Sequence, residues 1–195
     1  MKTKVPTLSK RDRLIQTALK LFAKHGFHAT GVDTIAEKSG VTKRTLYAHF
    51  RSKEELVLAA LQHYDGVFRN EFMRRVEASA TTPRGQLLAI FDVADQWFRQ
   101  NSFYGCMFIN AVGEYSERDT AIRQVCGEFK ALVRGYIHEL CRKSGVKGPD
   151  RLAEELALVF EGAIVTAQVS HNPKAAQIAK RVGKALVDKA CSKKS

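Results

Sequence analysis

Residues Gly31 to Glu55 read GVDTIAEKSGVTKRTLYAHFRSKEE, two short helical patterns separated by Ser39-Gly40-Val41. In the first, Ile35 and Ala36 form the apolar face. In the second, Leu46 and Phe50 lie four apart and face the same side. Ala36 is small where a neighbouring helix crosses close by, Gly40 permits the tight turn, and Leu46 plugs the gap between the two helices. This is the spacing of a helix-turn-helix. Thr42 is placed to cap the second helix, whose other face carries Lys43, Arg44, Tyr47 and His49, all able to bond phosphates or base edges. Such a helix enters a major groove with its N-terminal residues nearest the bases.

Outward from this stretch the recurring apolar spacing is three and four, broken at Gly, Pro, Ser and Thr. Leu14, Ile15, Ala18, Leu21 and Phe22 predict a first helix over about 9–25, stopped at Gly26. Thr30 is expected to cap the second helix, with Asp33 as the acid of a weak capping box. Ser52-Lys53-Glu54-Glu55 is a full capping box and opens a long fourth helix to about residue 79. Thr82-Pro83 opens a fifth. A sixth is expected over Phe103–Tyr115, a seventh from Asp119 to about Ser144, an eighth from Pro149 to about His171, and a ninth after Pro173 to about Cys191. The tail from Ser192 to Ser195 is expected to fray. The fold class is all-α with about nine helices: a three-helix DNA-binding domain over 1–53 and a helical ligand-binding and dimerisation domain over 54–195.

Charge supports this division. The chain carries a formal net charge of +12, and residues 1–53 hold 12 Lys and Arg against 3 Asp and Glu. So strong an asymmetry turns the first quarter toward a polyanion. An anionic membrane surface would attract it too, but the first helix lacks the Trp-rich apolar face expected at a bilayer. No apolar run reaches the length of a membrane span, and Met1-Lys2-Thr3-Lys4 is not followed by the apolar stretch of a secretory signal. A cytoplasmic protein is expected. Cys106, Cys126, Cys141 and Cys191 are too scattered for a zinc site or a disulfide framework, so no metal or other cofactor is called for. Neither G-x-x-x-x-G-K-[ST], G-x-S-x-G nor H-E-x-x-H occurs, and His138-Glu139 lacks the second histidine, which leaves no catalytic residue to nominate.

The stretch from Leu14 to Leu56, LIQTALKLFAKHGFHATGVDTIAEKSGVTKRTLYAHFRSKEEL, resembles the DNA-binding signature of the TetR (tetracycline-repressor-like) family. The resemblance implies an all-α homodimer that represses transcription from a palindromic operator on double-stranded DNA and is released by a small-molecule effector. It also implies that Thr42, Lys43, Arg44, Tyr47 and His49 contact the operator and that Lys53 holds a phosphate; Thr30 and Thr45 complete the candidate set. Arg44 stands where many relatives have glycine, and Ala48 where several have a larger residue, so operator preference does not carry over. A sequence-nonspecific DNA-architectural protein is the competing expectation.

In the body, aromatic residues gather with a few polar groups, as in a small-molecule pocket. Cys106, Asn110 and Glu114 are four apart and would share one face of the sixth helix; with Trp97 and Phe108 they are the candidate effector contacts. Asn110 and Glu114, turned inward, need partners, which neighbouring helices or a bound effector would supply. The last two helices, about 150–171 and 174–191, are apolar on more than one side and are expected to pair with their symmetry mates in a homodimer.

Overall fold

The computed structural model describes residues 8–117 and 120–191, and within them every regular element is an α-helix. In chain order these are α1 (Lys10–His25), α2 (Val32–Ser39), α3 (Lys43–His49), α4 (Lys53–Ser79), α5 (Pro83–Phe98), α6 (Met107–Glu114), α7 (Ala121–Lys143), α8 (Pro149–Ser170) and α9 (Ala175–Cys191). The all-α expectation with nine helices holds for the described residues. Asp119, expected to open the seventh helix, and the tail from Ser192 lie outside them. None of the described helices is long and apolar enough to cross a membrane.

The caps explain most boundaries. Ser9 accepts from the Asp12 N–H (3.1 Å), Thr42 from Thr45 (3.2 Å), Ser52 from Glu55 (3.2 Å) and Thr82 from Gly85 (3.1 Å). Each bond satisfies a donor that the first helical turn leaves free. Glu55 reaches back as a capping box requires, but to the Arg51 N–H (2.6 Å). Two expectations are corrected. Thr30 does not cap α2: Gly31 occupies the cap position without a side-chain bond, and the Thr30 hydroxyl donates to the Gly26 carbonyl (2.6 Å). The sixth helix starts at Met107 instead of Phe103. The Phe103 ring packs against Trp97 (5.1 Å) and Phe98 (5.0 Å), and the chain turns at Gly105 with φ +84°.

The helices group into two compact units. One contains residues up to Gly66 together with Met107–Cys126; the other contains Val67–Cys106 and Gly127 onward. In the first, α1, α2 and α3 pack on one another around Leu14, Ile15, Phe22, Phe27, Ile35, Leu46 and Phe50, each at most 2% exposed. Phe22 and Phe27 stack at 4.9 Å. In the second, α5, α8 and α9 pack together. Gly183 lets α9 approach α5: a Cβ there would sit 2.7 Å from the Phe91 ring and 3.3 Å from Leu156. Only glycine fits that crossing without displacing an aromatic side chain.

Candidate nucleic-acid interface and effector cavity

The turn between α2 and α3 is set by Gly40, whose backbone is left-handed (φ 64°, ψ 30°) and whose N–H closes on the carbonyls of Ala36 and Glu37. A side chain there would be strained and would meet Arg13, whose guanidinium donates to the carbonyls of Ser39 (2.5 Å) and Gly40 (3.1 Å). Arg13 thus binds α1 to the C-terminal end of α2, where the helix dipole favours a cation. It was not among the candidates, because one arginine at the start of a helix carries no signal in the sequence.

With the turn fixed, Leu46 is fully buried and one face of α3 is presented outward. Thr42, Lys43, Arg44, Tyr47 and His49 are all exposed; Thr45 is half-buried, its hydroxyl 2.9 Å from that of Thr42. These six candidates are therefore brought together over two turns of one helix. The Lys43 ammonium pairs with the Asp33 carboxylate (2.8 Å), and that hydrogen bond, with the attraction of the charge, raises the lysine pKa. Lys53, at the first position of α4, donates to the His28 carbonyl (3.1 Å). Arg11 lies over the Phe50 ring at 5.2 Å. Thr30 is placed differently: it is 3% exposed, and its hydroxyl is occupied within the α1–α2 turn.

The candidate effector contacts do not converge. Trp97 and Cys106 line a cavity of about 30 Å³ in the second unit. Phe108 is buried in the first unit against Tyr64 (5.9 Å), and Asn110 is half-buried there. Glu114 has its partners: its carboxylate accepts from the backbone N–H groups of Phe27 (2.8 Å) and His28 (2.6 Å). His28 Nε2 is bonded to the Glu114 carbonyl (2.9 Å), and its ring lies 4.8 Å from that of Tyr115. Glu114 thus ties α6 to the α1–α2 turn and does not face the cavity.

The cavity wall comes from elsewhere. Phe68 and Phe72 of α4, Phe129 and Tyr136 of α7 and Phe160 of α8 surround it together with Trp97, and the surface facing the space is almost wholly carbon. Phe68 packs on Trp97 (4.8 Å) and Phe72 on Phe160 (5.6 Å). The Tyr136 hydroxyl is buried without a hydrogen-bond partner among the described residues, and burial first, then the Glu77 charge, pushes its pKa up to about 12. No cluster of His, Cys, Asp and Glu among the described residues has metal-ligand spacing.

Residues 14–60 match the family model described as bacterial regulatory proteins, tetR family. The chain is 30% identical over 171 residues to the HTH-type transcriptional repressor ComR of Escherichia coli (strain K12), a match covering 84% of this chain and 81% of ComR. It is 31% identical over 146 residues to the HTH-type transcriptional activator FasR of Mycolicibacterium smegmatis, covering 74% of this chain and 64% of FasR. A match to the uncharacterized HTH-type transcriptional regulator YerO of Bacillus subtilis is 40% identical over 79 residues and spans 27% of YerO. The chain therefore spans less than two thirds of both FasR and YerO. The crystal structure of SCO4454, a TetR-family transcriptional regulator from Streptomyces coelicolor, superposes with a TM-score of 0.86 at 25% identity, covering 94% of this chain and 96% of that one. An exposed α3 face beyond a glycine turn, a nine-helix fold and these likenesses agree: the chain belongs to the tetR family of bacterial regulatory proteins, which are transcriptional regulators and not enzymes.

Proposed function

We propose that this protein is a dimeric, sequence-specific repressor that leaves a palindromic operator when a small molecule enters its helical body. The observation that carries the reading is the α3 surface, where Lys43, Arg44, Tyr47 and His49 stand exposed around a buried Leu46. Arg44 offers a planar fork for a guanine edge, and Lys43 and the Tyr47 hydroxyl suit phosphates. Thr42, Thr45 and Lys53 flank them as further backbone contacts. Residues 1–53 form the reading head and 54–195 the sensing and dimerising body, and the protein acts in the cytoplasm.

Dimerisation through α8 and α9 is supported by apolar residues turned outward. Leu158 (76% exposed), Val165 and Val169 (71% exposed) recur on α8, and Ile178 and Val182 on α9. An isologous pairing of these faces removes them from water and places two heads on one duplex. The repressor sign follows ComR, the relative matched along most of both chains. The effector lowers operator affinity by its preference for a dimer conformation that does not fit adjacent grooves.

Binding-site selection from a random duplex library at near-physiological salt tests the reading. One palindromic consensus is expected, lost when Lys43, Arg44 and Tyr47 are all replaced by alanine in a variant that still folds. Retention of DNA without a consensus would instead make the protein architectural.

A further inference from the structure

The cavity in the second unit has a chemistry specific enough to name what it takes. Its wall is built from Phe68, Phe72, Trp97, Phe129 and Phe160, with hardly any polar surface toward the space. Arg69, Lys130 and Glu161 also line it, but they turn almost no polar surface toward the space, and the Lys130 ammonium lies 3.4 Å from the Glu161 carboxylate. An ionised ligand would lose its hydration here with little to replace it, a penalty of several kilocalories per mole. Tyr136 lines the space as well. The Tyr136 hydroxyl has no partner among the described residues, and a buried donor left in that state costs stability until something accepts from it.

We infer that this cavity takes a neutral, largely apolar molecule of aromatic size bearing one hydrogen-bond acceptor, with the Tyr136 hydroxyl as its donor. The inference rests on the reading of the helical body as the effector-binding part. The phenol remains a donor throughout the physiological range, since burial, with the Glu77 charge, pushes its pKa up to about 12. The free space of about 30 Å³ holds little more than a water molecule, so a ligand of this class must displace aromatic side chains as it enters. Trp97 stands in that wall and is the chain's single tryptophan, so its indole N–H gives one resonance that reports occupancy.

Three probes of similar size separate the possibilities: acetophenone (neutral, one acceptor), ethylbenzene (neutral, no acceptor) and benzoate (charged). Each is titrated into the full-length protein and followed by the Trp97 indole N–H cross-peak. Acetophenone is expected to bind at least tenfold more tightly than benzoate. Tyr136→Phe, which keeps the ring and its packing, should weaken acetophenone about five- to tenfold, the worth of one neutral hydrogen bond, and leave ethylbenzene unchanged. Benzoate binding as tightly as acetophenone, or acetophenone unaffected by Tyr136→Phe, overturns the assignment. So does a Trp97 signal that no probe moves. Operator affinity, measured separately on the selected duplex, keeps the two readings apart. Binding as expected without a change in operator affinity sinks effector control but leaves the cavity's chemistry standing, and a silent Trp97 with an intact operator consensus sinks the cavity's chemistry but leaves the DNA-binding reading standing.

Discussion

At the residue scale the proposed recognition surface is a matter of who holds each donor before DNA arrives. Arg44 is exposed at the N-terminal end of α3, where base edges come within reach. Arg44→Ala is expected to cost about 1–3 kcal/mol of operator affinity and to relax the consensus at one position, read by fluorescence anisotropy and a repeated selection. Lys43 is different, because Asp33 already holds its ammonium. In the proposed complex that ammonium passes from carboxylate to DNA, so Asp33→Asn should raise affinity for random duplex a few-fold while changing operator affinity less. Equal gains on both duplexes would show that Asp33 plays no part in discrimination. A third residue-scale expectation concerns alkali. Burial pushes Tyr115 and Tyr136 up to about 12 and Cys141 up to about 11. These groups stay protonated in the folded chain at pH values where the unfolded chain has already released its protons. Their contribution is complete below about pH 9–10, the ordinary range for a thiol and a phenol, and is lost as pH climbs toward 12. Denaturant melts between pH 9 and 12 should fall more gently for Tyr136→Phe than for the parent protein.

At the element scale, crossings and caps decide stability. Gly183→Ala places a methyl 2.7 Å from the Phe91 ring, and overpacking of about 1–3 kcal/mol outweighs the gain of up to about 1 kcal/mol from removing a helical glycine. Gly135→Ala, in α7 with nothing within 4 Å of the new Cβ, should stabilise by about 0.5–1 kcal/mol. Chemical melts of the two variants ought to move in opposite directions; movement in the same direction would remove the close approach of α5 and α9 as the cause. The same elements show what could be read from sequence. Thr42, Ser52 and Thr82 announced their helices because a cap is a local bond, made within three residues. Thr30 misled because its hydroxyl has two local acceptor or donor choices, and the turn took the Gly26 carbonyl. The start of α6 was hidden for a different reason. Phe103 stands four residues before Met107, a helical spacing, yet its ring packs on Trp97 across a turn, a tertiary contact that periodicity cannot foresee. The α3 face was legible because one helix carries it whole. The cavity was not, since its wall draws on α4, α5, α7 and α8, and only Trp97 and Cys106 of the residues picked from sequence reach it.

At the scale of the whole molecule, the proposed function makes the outward apolar residues of α8 and α9 and the exposed face of α3 parts of one device. Replacing Leu158 and Val169 by glutamate is expected to yield a folded monomer by sedimentation, with operator affinity reduced at least a hundredfold. Each head alone must then bind a half-site without the effective concentration its twin supplied. A variant that remains dimeric would move the interface elsewhere on the surface. Pairing through the outward face of α8, as proposed, also has a bearing on gene dosage. Where subunits are scarcer than their dissociation constant, the number of functional dimers rises with the square of the number of chains made. Halving synthesis would then cut the active pool to about a quarter, so a promoter repressed as proposed would open over a narrow span of expression.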